Sequence, residues 1–254
     1  VLFRSKKERR LIRQNQTDQN NKLNFKLKHI EPLTQNQKLV YNAFDQGKNL
    51  MLHGIAGTGK SFISMYLSLK ELLRENSTYK KLYIIRSVVP TRDMGFLPGN
   101  SKEKSKVYEA PYHAICTELF DRGDAYEYLK MKNVIEFNTT SFIRGITFND
   151  SIIIVDEMAN CTLHELDSVI TRIGKNCKII FCGDFRQSDF TKDHEKNGLH
   201  DFIKIIRNMK VFTFVDFNAN DIVRSNLVKE YIIQKDKMNI IADRKSTRLN
   251  SSHV

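Results

Sequence analysis

The segment GIAGTGKS constrains this chain more than any other, because it fits the phosphate-binding pattern G-x-x-x-x-G-K-[ST] at every fixed position. Its members are Gly54, Ile55, Ala56, Gly57, Thr58, Gly59, Lys60 and Ser61. A short apolar run precedes it and an apolar pattern with helical spacing follows it over 62–73, which a solvated glycine turn would not require. The pattern predicts that backbone N–H groups and Lys60 bind the phosphates of a nucleoside triphosphate, and that Ser61 binds magnesium.

Six short, mostly apolar runs predict strands at 49–53, 81–86, 133–137, 151–155, 178–182 and 211–217, and the run at 81–86 is rich in β-branched and aromatic residues. Helices are predicted from a cap at Thr34 to Gly47, over 62–73 and 108–129, from a cap at Thr162 to Ile173, and from a cap at Asp221 to Ile233. Proline and glycine residues predict a long loop over 87–100. Strands that alternate with helices predict a three-layer α/β fold with a mostly parallel central sheet and helices on both faces.

Polar side chains follow the ends of these strands, where ligands bind in an open parallel sheet. Asp156 follows the most apolar strand and is predicted to hold Mg²⁺, while Glu157 is predicted to polarise the attacking water. The alternative for this pair is two solvated acids at a strand end. Gln187 lies four residues beyond another strand and is predicted to sense the terminal phosphate, although its position also suits an ordinary loop glutamine.

An added arginine stabilises the charge that develops during phosphoryl transfer. Arg86, Arg172 and Arg224 are the candidates, and Arg86 is also predicted to contact ATP from the end of its strand. Arg224 follows a candidate helix cap, and a solvated or locally paired arginine is its alternative interpretation. Tyr108, Tyr112 and Phe142 are candidates for stacking on bases, with burial in the core as the favoured interpretation.

The net charge of +12 favours nucleic acid only weakly, because much of it is terminal. Residues 1–28 carry nine Lys and Arg against two acidic residues, and from residue 243 onward three Lys and Arg stand against one. Four cysteines without paired spacing, and the lack of an apolar signal segment, predict a reduced cytoplasmic protein. No apolar run approaches the roughly 20 residues that span a bilayer, so no membrane association is predicted.

The predicted organisation is one domain with two tails. Residues 1–28 are expected to form a basic disordered arm, residues 29–235 the ATPase domain, and residues 236–254 a tail. Residues 1–5 and 243–254 resemble translated sequencing-adapter DNA and are expected to be artefacts, which makes the domain count a lower bound.

With these residues in place, the chain resembles the PhoH family, single-domain ATPases related to the first RecA-like domain of superfamily-one helicases. The likeness covers roughly residues 30–235, and GFLPG at 95–99 is its most distinctive block. The other blocks are the phosphate-binding loop, RSVVP at 86–90, IRGITF at 143–148, DE at 156–157, TRIG at 171–174, GDFRQSD at 183–189 and DIVR at 221–224. Met158 stands where the family usually has a small residue.

The resemblance implies a RecA-like P-loop ATPase that uses ATP and Mg²⁺ and acts on RNA or single-stranded DNA as a helicase-type motor. It implies that Gln37 reads the adenine, although Gln37 also fits a capping box with Thr34. A lone RecA-like domain further implies a homo-oligomeric ring, such as a hexamer, with Arg224 or Arg172 reaching across to a neighbour. Two alternatives stay open: an ATP-dependent switch with slow turnover and a protein partner, and, less favoured, a small-molecule kinase.

Overall fold

The computed structural model describes residues 25–87, 101–184 and 193–250, with side chains described except at 101–105, 193–197 and 239–250. Six strands form one sheet: β1 (Asn49–Gly54), β2 (Lys81–Arg86), β3 (Ile135–Thr139), β4 (Ser151–Asp156), β5 (Cys177–Gly183) and β6 (Phe212–Phe217). Their order is β3-β2-β4-β5-β1-β6, and every pair in this described sheet is parallel. The six predicted strands are therefore confirmed to within two residues at each end, and so is the predicted α/β class.

Seven helices are described: α1 (Gln35–Asp45), α2 (Lys60–Leu72), α3 (Ser101–Phe120), α4 (Ala125–Met131), α5 (Leu163–Ile170), α6 (Asp193–Arg207) and α7 (Asn226–Asn250). Helices α1 to α4 pack on one face of the sheet, while α5 and α6 pack on the other. Alternate residues of β4 divide accordingly, since Ile152 and Ile154 join the first core and Ile153 and Val155 the second. This gives the predicted three layers, with β4 buried along its whole length.

Two predicted helix starts are confirmed by their hydrogen bonds. The Thr34 hydroxyl accepts from the N–H of Gln37 at the start of α1. Thr162 and Glu165 form a complete capping box at the start of α5. The sequence pattern is sufficient in both cases because the cap is satisfied within one turn.

Several predicted helix boundaries are wrong. The segment 108–129 is mostly helical, as predicted, but α3 begins earlier, at Ser101, and it ends at Phe120 before Asp121, which has a left-handed φ of 52°, and before α4 begins at Ala125. Helix α6 was not predicted at all. Asp221 does not cap the last helix, because its carboxylate closes a 3-10 turn at Ala219–Asp221 and α7 begins only at Asn226. Helix α7 then continues to Asn250, well beyond the predicted end at 233.

The disordered arm predicted over residues 1–28 extends too far towards the domain, because its last four residues are folded. The ring of Phe25 contacts the rings of Phe120 and Tyr128, with centroids 5.0 and 5.1 Å apart. The N–H of Lys28 donates to the carbonyl of Leu119 at 2.9 Å. Residues 25–28 therefore belong to the folded domain; residues 1–24 and most of the predicted loop over 87–100 lie outside the described residues.

Candidate functional site

The phosphate-binding loop joins β1 to α2 and depends on glycine at two points. Gly54 has a φ of +130°, and a Cβ there would lie 2.0 Å from the carbonyl oxygen of Phe217 on β6. Gly59 has a φ of +83° and is the N-cap of α2. The loop therefore turns its backbone tightly against β6 before α2 begins, and the first turn of α2 directs N–H groups at the loop.

Lys60 lies inside this loop. Its Nζ donates to the carbonyls of Gly54 at 2.7 Å and Ile55 at 2.8 Å, with the Thr58 hydroxyl at 3.3 Å. Burial lowers the pKa of Lys60, and the nearby Asp184 and Glu157 partly oppose that shift by favouring the charged form. The ammonium is thus the positive charge of a largely buried loop, where a phosphate group would complete its partners.

Ser61 and Asp156, the two predicted metal residues, are brought together by the fold. The Ser61 hydroxyl donates to Oδ1 of Asp156 at 2.8 Å, although 95 residues separate them in the chain. Neighbouring oxygens of an octahedral Mg²⁺ shell lie about 3 Å apart, so this hydroxyl and carboxylate fit adjacent ligand positions. Among the described residues, no group of three or more His, Cys, Asp and Glu could hold a metal ion, so such an ion would rely on water and phosphate for its remaining ligands.

The second oxygen of Asp156 has a partner that the sequence did not predict. The Tyr112 hydroxyl, on α3, donates to Oδ2 of Asp156 at 2.8 Å, and both residues are buried. Burial and the Asp156 charge raise the pKa of Tyr112 well above its usual value, while Arg86 lowers it in part. Tyr112 is therefore a core residue, as favoured from the sequence, and also a hydrogen-bond donor to the site.

Glu157 follows Asp156 in a left-handed conformation, with φ 51° and ψ 40°. That conformation is uncommon outside glycine and turns the chain sharply from β4 into the 3-10 turn Met158–Asn160. Met158 is fully buried, and its Cγ lies 2.8 Å from where a Cβ on Gly183 would stand. The large residue that departs from the family pattern is thus accommodated by a glycine at the end of β5.

Gln37 connects the start of α1 to the phosphate-binding loop. Its Oε1 accepts from the N–H of Leu33 at 2.6 Å, and its Nε2 donates to the carbonyl of Thr58 at 3.2 Å. The reciprocal bond of the predicted capping box therefore goes to Leu33 and not to Thr34. In this arrangement both ends of the amide are already bonded within the protein, and its predicted adenine-reading role stays a prediction.

Arg224 lies beside the loop of its own chain. The N–H of Val223 donates to the carbonyl of Gly57 at 3.1 Å, and Cγ of Arg224 lies 3.2 Å from where a Cβ on Gly57 would stand. Arg172, the other candidate to reach a neighbour, donates to the carbonyls of Ile143 and Ser168 at 2.8 and 2.7 Å. Its guanidinium thus fastens the segment after β3 to α5.

The remaining predicted residues are less clearly placed. Arg86 pairs in register with Asp156 and lies 5.9 Å from the ring of Tyr108, but it is not among the described residues that line the cleft. Gln187 lies outside the described residues. Phe142 is 64% exposed, in contrast to Tyr112.

A cleft of about 960 Å³ brings the site together. Its polar part includes Gln37, Gly57, Gly59, Lys60, Ser61, Asp156, Glu157, Asp184 and Arg224. Its apolar part is formed by Ile30, Leu33, Phe62, Ala114 and Ile115, the last two from α3. The contribution of α3 to the cleft was not predicted, because it depends on how this helix packs against the sheet. One cleft therefore offers both polar groups that suit phosphates and apolar side chains that suit a ring.

A phosphate-binding loop between a parallel strand and a helix, with a serine and an aspartate paired beside it, defines a P-loop nucleotide-binding protein. A family model described as PhoH-like protein matches residues 29–235. The chain belongs to the PhoH-like family. No described helix is long and apolar enough to cross a membrane.

Curated relatives agree with this assignment. The chain is 30% identical over 217 residues to the PhoH-like protein of Bacillus subtilis (strain 168), covering 85% of this chain and 67% of that one. It is 29% identical over 206 residues to the PhoH-like protein of Mycobacterium leprae (strain TN), covering 81% and 58%. It is 27% identical over 187 residues to the protein PhoH of Escherichia coli (strain K12), covering 73% and 52%. The chain thus spans between about half and two thirds of the length of these relatives.

Solved structures with some likeness are helicases. The Hef helicase domain of Pyrococcus furiosus aligns with a TM-score of 0.43 and 13% identity, over 73% of this chain and 39% of that one. A Bacteroides Pif1 bound to single-stranded DNA aligns with a TM-score of 0.37 and 14% identity, over 85% and 50%. Scores this low carry no argument about what the present chain binds.

Proposed function

We propose that this chain binds ATP together with Mg²⁺, hydrolyses it, and couples hydrolysis to remodelling of single-stranded RNA or DNA. The observation that carries the ATPase part is the convergence of Lys60, Ser61, Asp156 and Glu157 on one cleft. Lys60 and Ser61 begin α2, whereas Asp156 ends β4 and Glu157 follows it, and Ser61 and Asp156 are 95 residues apart in the chain.

The proposed roles follow from the chemistry of each group. The loop N–H groups and Lys60 neutralise the phosphates, and Ser61 with Asp156 holds Mg²⁺. When bound, Mg²⁺ would neutralise charge on the outer phosphates during transfer. Glu157 lines the cleft next to the metal pair, which suits it to orient a water molecule. Arg224 lines the same cleft and is proposed to stabilise the leaving charge, Gln37 to contact the adenine end, and Gln187 to sense the terminal phosphate.

The nucleic-acid part of the proposal has separate support. Residues 6–28, which exclude the expected artefact, carry eight Lys and Arg against two acidic residues and so can contact phosphates. Phe142 is 64% exposed in the turn after β3, with the exposed Arg144 two residues on, a pairing that can stack on and neutralise a single strand. The family resemblance favours the same class of partner. We place this activity in the bacterial cytoplasm or in a phage-infected host.

The test is steady-state ATP hydrolysis with and without single-stranded RNA and DNA. Glu157→Gln should lower the turnover rate on the order of a hundredfold or more while ATP binding persists, because only the water-orienting group is lost. Glu230→Gln, an exposed change on α7 that does not line the cleft, is the matched control and should hydrolyse ATP normally. Stimulation by either polynucleotide would support a motor; slow turnover indifferent to both would favour the ATP-dependent switch.

We also propose a homo-oligomer, in which neighbouring subunits cover each other's nucleotide. Arg224 lines the cleft of its own chain, which supports a role in its own subunit, and a role at a subunit boundary is the alternative that the mixing experiment tests. Light scattering with ATP bound tests the assembly, and a monomer at all concentrations would refute it. Mixing Glu157→Gln and Arg224→Ala proteins then tests the boundary, since recovered activity requires one subunit to supply Arg224 to the other.

A further inference from the structure

The two oxygens of the Asp156 carboxylate have different partners. Oδ1 accepts from Ser61, which lines the cleft, and Oδ2 accepts from Tyr112, which is not among the described residues that line it. The carboxylate is 5% exposed. One oxygen of the carboxylate therefore bonds to α3, and the other bonds to Ser61 at the end of the phosphate-binding loop.

Tyr112 is rigidly held. It is fully buried in the core formed with α2 and the sheet, and its ring lies 5.9 Å from that of Phe137 on β3. Because the ring cannot rotate away without opening this core, the position of the hydroxyl is fixed by the packing of α3. A buried carboxylate oxygen also needs a donor, and Tyr112 supplies one to Oδ2.

We propose that Tyr112 is a positioning residue for the metal: its hydroxyl fixes Oδ2 of Asp156 so that Oδ1 meets Mg²⁺ beside Ser61. This rests on the proposed function above and adds a residue that the phosphate-binding motif does not contain. The same helix contributes Ala114 and Ile115 to the lining of the cleft. Helix α3 thereby contacts the site twice, through these two side chains and through the bond of Tyr112 to Asp156.

The chain offers a closely matched control. Tyr126 on α4 is equally buried, and its hydroxyl donates to Oε2 of the buried Glu109, also at 2.8 Å. Tyr126 is not among the described residues that line the cleft. Tyr112→Phe and Tyr126→Phe each remove one oxygen atom and one buried hydrogen bond to a carboxylate, so their effects on folding should be similar.

The experiment is a Mg²⁺ titration of nucleotide binding, read by the fluorescence of a labelled ATP analogue and compared with binding in EDTA. Tyr112→Phe should raise the Mg²⁺ concentration at half-saturation by about tenfold or more, because loss of an outer-shell partner weakens a metal site to that degree. Binding in EDTA should stay as in the wild type, which also shows that the variant is folded. Tyr126→Phe should match the wild type in both conditions.

A double-mutant cycle sharpens the result. In an Asp156→Asn background, Tyr112→Phe should add no further change, because the hydroxyl acts through that carboxylate. A Mg²⁺ dependence that is the same in wild type and Tyr112→Phe would overturn the positioning role alone. A wild type without Mg²⁺-dependent nucleotide binding would overturn the proposed function, and the positioning role with it.

Discussion

Replacing Gly54 with alanine should come close to unfolding the protein, whereas the same change at Gly47 should be tolerated. Both glycines have positive φ, at +130° and +77°, so both substitutions strain the backbone by about 1–3 kcal/mol. They differ in their surroundings. Among the described residues nothing lies within 4 Å of a Cβ at Gly47, while a Cβ at Gly54 would lie 2.0 Å from the carbonyl oxygen of Phe217.

The size of the Gly54 effect follows from that contact. Ordinary contacts begin near 3.4 Å, so the end of β6 would have to retreat by more than 1 Å. Gly54 and Phe217 are paired in register, and the retreat would break the last backbone hydrogen bonds between β1 and β6, at about 0.5–1.5 kcal/mol each. With the strain included, the loss reaches about 3–5 kcal/mol, against a total of roughly 5–15 kcal/mol for a typical domain.

Urea unfolding without nucleotide, followed by circular dichroism, measures this difference. With a slope of about 2 kcal/mol per molar urea, Gly47→Ala should lower the midpoint by about 0.5–1.5 M, from the strain alone. Gly54→Ala should lower it by about 2 M or leave the chain unfolded. If the two midpoints agree within about 0.5 M, β6 yields easily and the steric account of this glycine is wrong.

Three further predictions concern buried or half-buried polar groups. Burial raises the pKa of Cys116 to about 12 from a usual 9.0, so the stability that the neutral thiol contributes below pH 9 is lost as the pH rises towards 12. In urea unfolding at pH 9 to 11, the unfolding free energy of Cys116→Ala should therefore fall less steeply with pH than that of the wild type, by at most about 1.4 kcal/mol per pH unit. Glu165→Ala should cost about 2–4 kcal/mol on urea unfolding, because its carboxylate accepts from three hydroxyls and one N–H, whereas Glu230→Ala should cost little. Gln37→Glu should weaken ATP binding about tenfold in a fluorescence titration, because a carboxylate oxygen replaces the N–H group that donates to the carbonyl of Thr58. Unchanged binding would show that this hydrogen bond does not contribute to the nucleotide site.

Much of the fold could be predicted because its signals are local. Each strand is a short, mostly apolar run, and the caps at Thr34 and Thr162 are satisfied within one turn. The meeting of Ser61 with Asp156 also followed from sequence, since parallel strands deliver their carboxyl ends to one edge. The sequence is therefore sufficient to predict a feature that depends on a residue's neighbours in the chain or on the topology of the sheet.

Helix α6 was missed although its signal is present. Leu199, Phe202, Ile203 and Ile206 follow helical spacing, and all four are buried against the second face of the sheet. Gly198 interrupts the pattern and the preceding segment is strongly polar, which obscures the start of the helix. Tyr112 is a different case. Its bond to Asp156 spans 44 residues and depends on the rotation of α3, which no local pattern encodes.

Asp221 illustrates why a good local signal can be overridden. From sequence it is a fitting cap for the last helix, but its Oδ2 accepts from the side chain of Asn36 at 2.7 Å and from the N–H of Asn218 at 2.9 Å. Asn36 also donates to the carbonyl of Asp216 at 3.0 Å, so the end of β6 is tied to the first turn of α1. These two donors satisfy the carboxylate, which is buried in this position. The helix start therefore moves to Asn226, and the freed segment places Val223 on the phosphate-binding loop through its bond to Gly57.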